Sequence, residues 1–149
     1  MRYEAALARN RAGEIRQAIQ SYTRVLDLDP NHVGALYDRG ELLLVAGADS
    51  DRVAARRDLE QAEKLRPDHW AVPYRLALLA AQDQNPSEMT NALSRALSNG
   101  MDLDLLATDP AWDTVLRQAQ TGPILLRFAR TYGSDALVQD LERRTGTSP

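Results

Sequence analysis

The chain has 149 residues, with 18 Lys and Arg against 21 Asp and Glu for a formal charge of −3, and no cysteine. A chain of this length can bury roughly 68–70% of its unfolded surface, enough for a core without disulfides or metal. The missing thiols exclude thiolate zinc sites, a cysteine nucleophile and a disulfide scaffold, and the slightly acidic balance argues against nucleic acid as a bulk partner.

Leu and Ala supply 22 residues each, whereas Phe128 is the only phenylalanine and Val and Ile are sparse. That usage favours helices, because Leu and Ala lose little on entering a helix and strands want the β-branched and aromatic residues that are scarce. The amino terminus, Met1 to Arg9, is charged and lacks the apolar core of a secretory leader, so a soluble, cytoplasmic protein is expected. The charge-free stretches 76–82 and 118–126 fall far short of the ~20 residues that span a bilayer.

Going along the chain, a period emerges. Asp29-Pro30-Asn31-His32 returns as Arg66-Pro67-Asp68-His69, 37 residues later, and Ala18, Tyr22, Val25 and Leu28 align at the same offset with Ala55, Leu59, Ala62 and Leu65. Tyr3 and Gly13 align with Tyr37 and Gly47 at an offset of 34, which places a three-residue insertion, expected as a loop, within Ala48 to Asp51. A third copy carries Tyr74, Ala77, Leu93 and Ala96, with Gln84 at the turn glycine's place and Asn99-Gly100 where a proline would come. Leu36, Gly40 and Leu43 share one helix face at i, i+4 and i+7, answered by Ala55, Leu59 and Ala62, and small residues in each stripe let two antiparallel helices approach closely. Pro30 and Pro67 end the second helices, since the residue before proline is pushed out of the α region, and His32 and His69 open the next ones.

Beyond Gly100, Met101 to Leu106 reads as a short helix or turn. Asp109 as a cap with Pro110 in the first turn opens a helix placing Trp112, Val115, Leu116 and Ala119 on one face. Gly122-Pro123 breaks it, a further helix carries Ile124, Leu125 and Phe128, and Ser134-Asp135 opens a last one with Leu137, Val138 and Leu141. The tail 145–149 is expected to fray.

With its 34-residue unit, and above all the stretch Gly13 to Asn31, the chain resembles the tetratricopeptide repeat family, whose unit is two antiparallel helices. The resemblance covers residues 1–100. It implies an all-α, right-handed helical-hairpin solenoid of about three units (1–31, 32–68 with the insertion, and 69–100), with capping helices over 101–149 that seal the exposed end. In that family the first helix of each pair lines the inner face, which makes Tyr3, Leu7, Asn10 and Arg11, then Tyr37, Asp38, Glu41 and Leu44, then Tyr74, Arg75, Leu78 and Ala81 the candidate peptide-binding residues. A tyrosine recurs in each set. Rigid tyrosines suit interface anchoring, but packing against a neighbouring or terminal helix is the alternative, and the terminal helices either cap the array or fill the groove.

The implied function is a non-enzymatic adaptor or assembly factor that binds another protein or peptide. Its rival is a structural subunit with a self-filled groove that uses its outer surface, and an enzyme accessory domain is a further one. Family modules that grip chaperone carboxylates use lysine, asparagine and arginine here. Tyr3, Leu7, Asp38, Ala71 and Arg75 occupy the corresponding places and only Arg75 fits, so that partner is not expected. Neither histidine stands in a base-and-nucleophile or metal-ligand spacing. The acidic residues Asp102, Asp104, Asp109 and Asp113 are not expected as metal ligands, since metal binding needs oxygens converging in a loop, and a helix cap explains Asp109 better. Arg52, Arg56, Arg57, Lys64 and Arg66, interleaved with Asp58, Glu60 and Glu63, read as a solvated helix face. No catalytic residue, cofactor, metal, nucleic acid or membrane insertion is expected.

Overall fold

The computed structural model describes the backbone of residues 2–145 and the side chains of residues 11–145. Helices and no strands occur among the described residues, and the fold is all-α and built on helical hairpins. None of the described helices is long and apolar enough to cross a membrane. The chain forms two compact units, Met1–Asp68 and His69–Pro149.

The first unit holds α1 (Arg2–Leu28), α2 (Val33–Ala46) and α3 (Asp49–Leu65). Around Pro30 the chain turns, with the His32 N–H bonded to Asp29 O at 3.1 Å, and His32 Nδ1 accepts from the Ala35 N–H at 3.0 Å, capping α2. Gly47 ends α2 with φ 76°, its N–H on Leu43 O, a left-handed closure that a residue without Cβ adopts at no steric cost. The α2–α3 hairpin closes on the expected stripe. Ala55, Leu59 and Ala62 have no solvent exposure, and a Cβ at Gly40 would lie 2.8 Å from Leu59 Cγ. Sealing a leucine this completely contributes roughly 1.5–3 kcal/mol.

Two expectations fail here. The inserted residues make no loop but the first turn of α3, because Asp49 and Asp51 favour a helix N-terminus and the Asp51 carboxylate accepts from the Ala48 N–H at 3.3 Å. Residues 1–31 form no hairpin: α1 runs unbroken through Gly13, since a lone glycine costs a helix only about 1 kcal/mol and its neighbours are good helix formers.

In the second unit, α4 (Ala71–Gln82) and α5 (Pro86–Ser98) form the next hairpin, followed by α6 (Leu105–Thr108), α7 (Ala111–Leu116), α8 (Thr121–Tyr132) and α9 (Asp135–Thr145). Gln84 takes over the glycine's conformation at φ 54°, and the Gln84 and Asn85 N–H groups close back onto Ala81 O and Ala80 O at 3.0 and 2.8 Å. Asn85 then caps α5 through the Glu88 N–H, with Pro86 in the first turn. α7 packs on α4, α8 packs on α5, α7 and α9, and α9 also meets α6 and α7, so the terminal helices and the α4–α5 hairpin share one core. As expected, Asp109 Oδ1 accepts from the Ala111 N–H at 3.0 Å and Ser134 Oγ from the Leu137 N–H at 3.1 Å. Ala119 departs from expectation: α7 ends at Leu116, leaving Ala119 exposed.

Candidate functional site

The candidate stripe behaves differently in each copy. Tyr3, Leu7 and Asn10 lie on the α1 backbone, with side chains outside the described residues; Arg11 is exposed.

On α2, Tyr37, Asp38 and Glu41 are half-buried, while Leu44 belongs to the core. The Asp38 carboxylate accepts from the Tyr22 hydroxyl of α1, and that bond, with Glu41 nearby, holds the Tyr22 phenol above its ordinary value. Negative charge that resists ionisation of a neighbouring phenol marks a locally acidic face.

On α4 the stripe is closed. Tyr74, Leu78 and Ala81 are buried, at 3%, 4% and 0% exposure, so the third copy presents core residues where an open stripe was expected. For Tyr74 the cause is Trp112 of α7, itself without exposure. Its Nε1 donates to the Tyr74 hydroxyl at 2.9 Å, which in turn donates to Asp109 Oδ2 at 2.5 Å. Tyr74 meets Trp112 and Trp70 edge-on at centroid distances of 6.0 and 5.9 Å, and the Arg75 guanidinium lies 5.6 Å from its ring centroid. Burial, and then the Asp109 carboxylate, push the Tyr74 phenol far above its ordinary value.

Sequence reasoning missed the polar ties of the first unit. Arg39 reaches Asp58 in a two-pronged bond, Nε to Oδ2 and Nη2 to Oδ1, both 2.7 Å, and its Nη1 donates to Thr23 Oγ1 at 3.3 Å, joining α1, α2 and α3. Asp58 is 4% exposed, which corrects its assignment to a solvated face. The signal was available, since Asp58 stands three residues after Ala55 and four before Ala62, on the flank of the packing stripe. Arg16 likewise grips Asp51, at 2.9 and 2.7 Å, and that hydrogen-bonded guanidinium holds the Asp51 carboxyl below the ordinary carboxylate value.

The remaining candidates have local structural partners. His69 Nδ1 accepts from the Ala71 N–H at 3.2 Å, matching His32 in its capping place. Of the acidic residues, Asp102 accepts from the Asp104 N–H, Asp109 caps α7, and Asp113 pairs with Arg144 at 3.0 Å. Among the described residues no group of three or more histidines or acids converges as a metal site would require.

Residues 3–51 match the family model of the tetratricopeptide repeat. A segment of 84 residues, 56% of this chain, is 30% identical to Protein NPGR2 of Arabidopsis thaliana and covers 11% of that protein's length. Together with the period and the two hairpins, these matches make the chain similar to tetratricopeptide repeat proteins, whose repeats are in general protein–protein interaction modules.

Proposed function

From that similarity we propose that the chain works as an adaptor or assembly factor, taking up an extended or helical segment of another protein along α2, at Tyr37, Asp38 and Glu41. The observation that carries this reading is the acidic, half-buried face of α2, where Asp38 and the Tyr22 hydroxyl are already hydrogen-bonded beside Glu41. Carboxylates beside tyrosine rings suit a partner with a lysine or arginine flanked by apolar residues: the rings cover the apolar part and the carboxylates steer and orient the cation. A second reading, a structural subunit whose inner face is filled from within, is favoured in the second unit by the Trp112–Tyr74–Asp109 contact.

Affinity capture from the native cell tests both. The adaptor reading expects a protein retained by the wild type, released by added salt because the contact is charged, and lost with Tyr37→Ala/Glu41→Ala while circular dichroism is unchanged. Tyr74→Phe should leave capture intact. Recovery unaffected by the α2 double variant overturns the reading.

A further inference from the structure

The three copies share a period but not a shape. The copies built on α2–α3 and α4–α5 turn back after Gly47 and near Gln84, both in the left-handed region, whereas Gly13, the equivalent of Gly47, lies inside α1. Through the short turn at Pro30, α1 and α2 run antiparallel and pack together, which brings the middle of α1 beside the end of α2. A cleft of about 350 Å³ opens there, lined by Arg11, Ala12, Ile15 and Arg16 of α1 and by Val45 and Ala46 of α2. Beside the two arginines its wall is apolar, made by Ala12, Ile15, Val45 and Ala46, and it is unsealed, with Val45 64% exposed.

That cleft lies at the closing end of the place that the hairpin's missing first helix would take. Folded back about Gly13, a helix over residues 2–12 would run antiparallel to the rest of α1 and parallel to α2, ending beside Val45 and Ala46. The period assigns those residues to this place, because they stand 34 positions before residues 36–46 of α2. A continuous α1 instead carries them away from their own cleft, by roughly 16 Å at 1.5 Å per residue. We propose that residues 2–12 of a second copy of this chain lie along α1 and α2, their last turn filling the cleft, and so form a reciprocal helix-swapped dimer. Two-fold exchange closes both clefts at once, and it costs little because the contacts of a folded-back hairpin are made between chains instead of within one.

Cysteine cross-linking reads this directly, since the chain contains no cysteine of its own. Light scattering on the full chain should give twice 16.6 kDa. Oxidised Ala8→Cys/Val45→Cys should run at the dimer mass on a non-reducing gel. Inserting Gly-Ser-Gly-Ser between Ala12 and Gly13, which lets each arm return to its own cleft, should yield a monomer of unchanged helicity, while Gly13→Ala should remain dimeric. A monomeric wild type, a disulfide within one chain, or a dimer whose cysteines do not join across it would each overturn the swap.

Discussion

In residues 69–149, α4 is buried along almost its whole length and its tyrosine is locked by Trp112 and Asp109, whereas in residues 1–68 the matching helix keeps Tyr37, Asp38 and Glu41 half-open. The two units hold their helices together by different means. Six helices can wrap an apolar centre, and the second unit buries Leu79, Leu93, Leu106, Leu125 and Leu141 with under 2% exposure. Three helices cannot surround one of their number, so the first unit adds Arg39–Asp58 and Arg16–Asp51, whose hydrogen-bonded ion pairs tie one helix to another. Equivalent positions in a repeat therefore share a backbone and not a role: the neighbours that arrive decide whether a tyrosine meets solvent or a tryptophan.

The largest test of that contrast is Trp112→Ala. Removing a fully buried indole should cost about 3–5 kcal/mol in chemical denaturation and open α4 by hydrogen exchange; a loss under ~1 kcal/mol would mean that the second unit does not depend on its apolar centre. Next comes Arg39→Ala, which strands a buried carboxylate and should destabilise by about 2–3 kcal/mol. Arg39→Leu/Asp58→Leu should recover most of that loss, and failure to recover it would assign the cost to packing of the arginine stem instead.

Smaller, and opposite in sign, is Gln84→Gly. A side chain at φ 54° costs ~1 kcal/mol that glycine avoids, so the variant should melt higher by the amount that Gly47→Ala melts lower. The mildest effect concerns acid. Because Arg16 holds the folded Asp51 carboxyl below its unfolded value near ~3.9, the pair stabilises fully above that pH and is lost as pH falls through the lower, folded value. The stability gap between wild type and Asp51→Asn should shrink below pH ~4, and a gap constant from pH 7 to 3 would show that the pair contributes nothing through ionisation.

What the sequence by itself determined was local and periodic. The small residues Gly40, Ala55 and Ala62, the prolines at 30 and 67 and the caps at His32, Asp109 and Ser134 act within a few residues or repeat at helical spacing, so their chemistry is written in order along the chain. Gly13 shows the limit, since glycine permits a turn without requiring one. Asp49 to Asp51 shows it again, for a short acidic insertion reads equally as a loop or as a helix start until its capping bond is seen. Only the tertiary structure decided that Trp112 closes over Tyr74, 38 residues away, and that Arg39 reaches Asp58 across a hairpin. Such pairings join side chains whose separations fit no helical period, and they form only where helix packing brings together partners able to satisfy each other's buried polar groups.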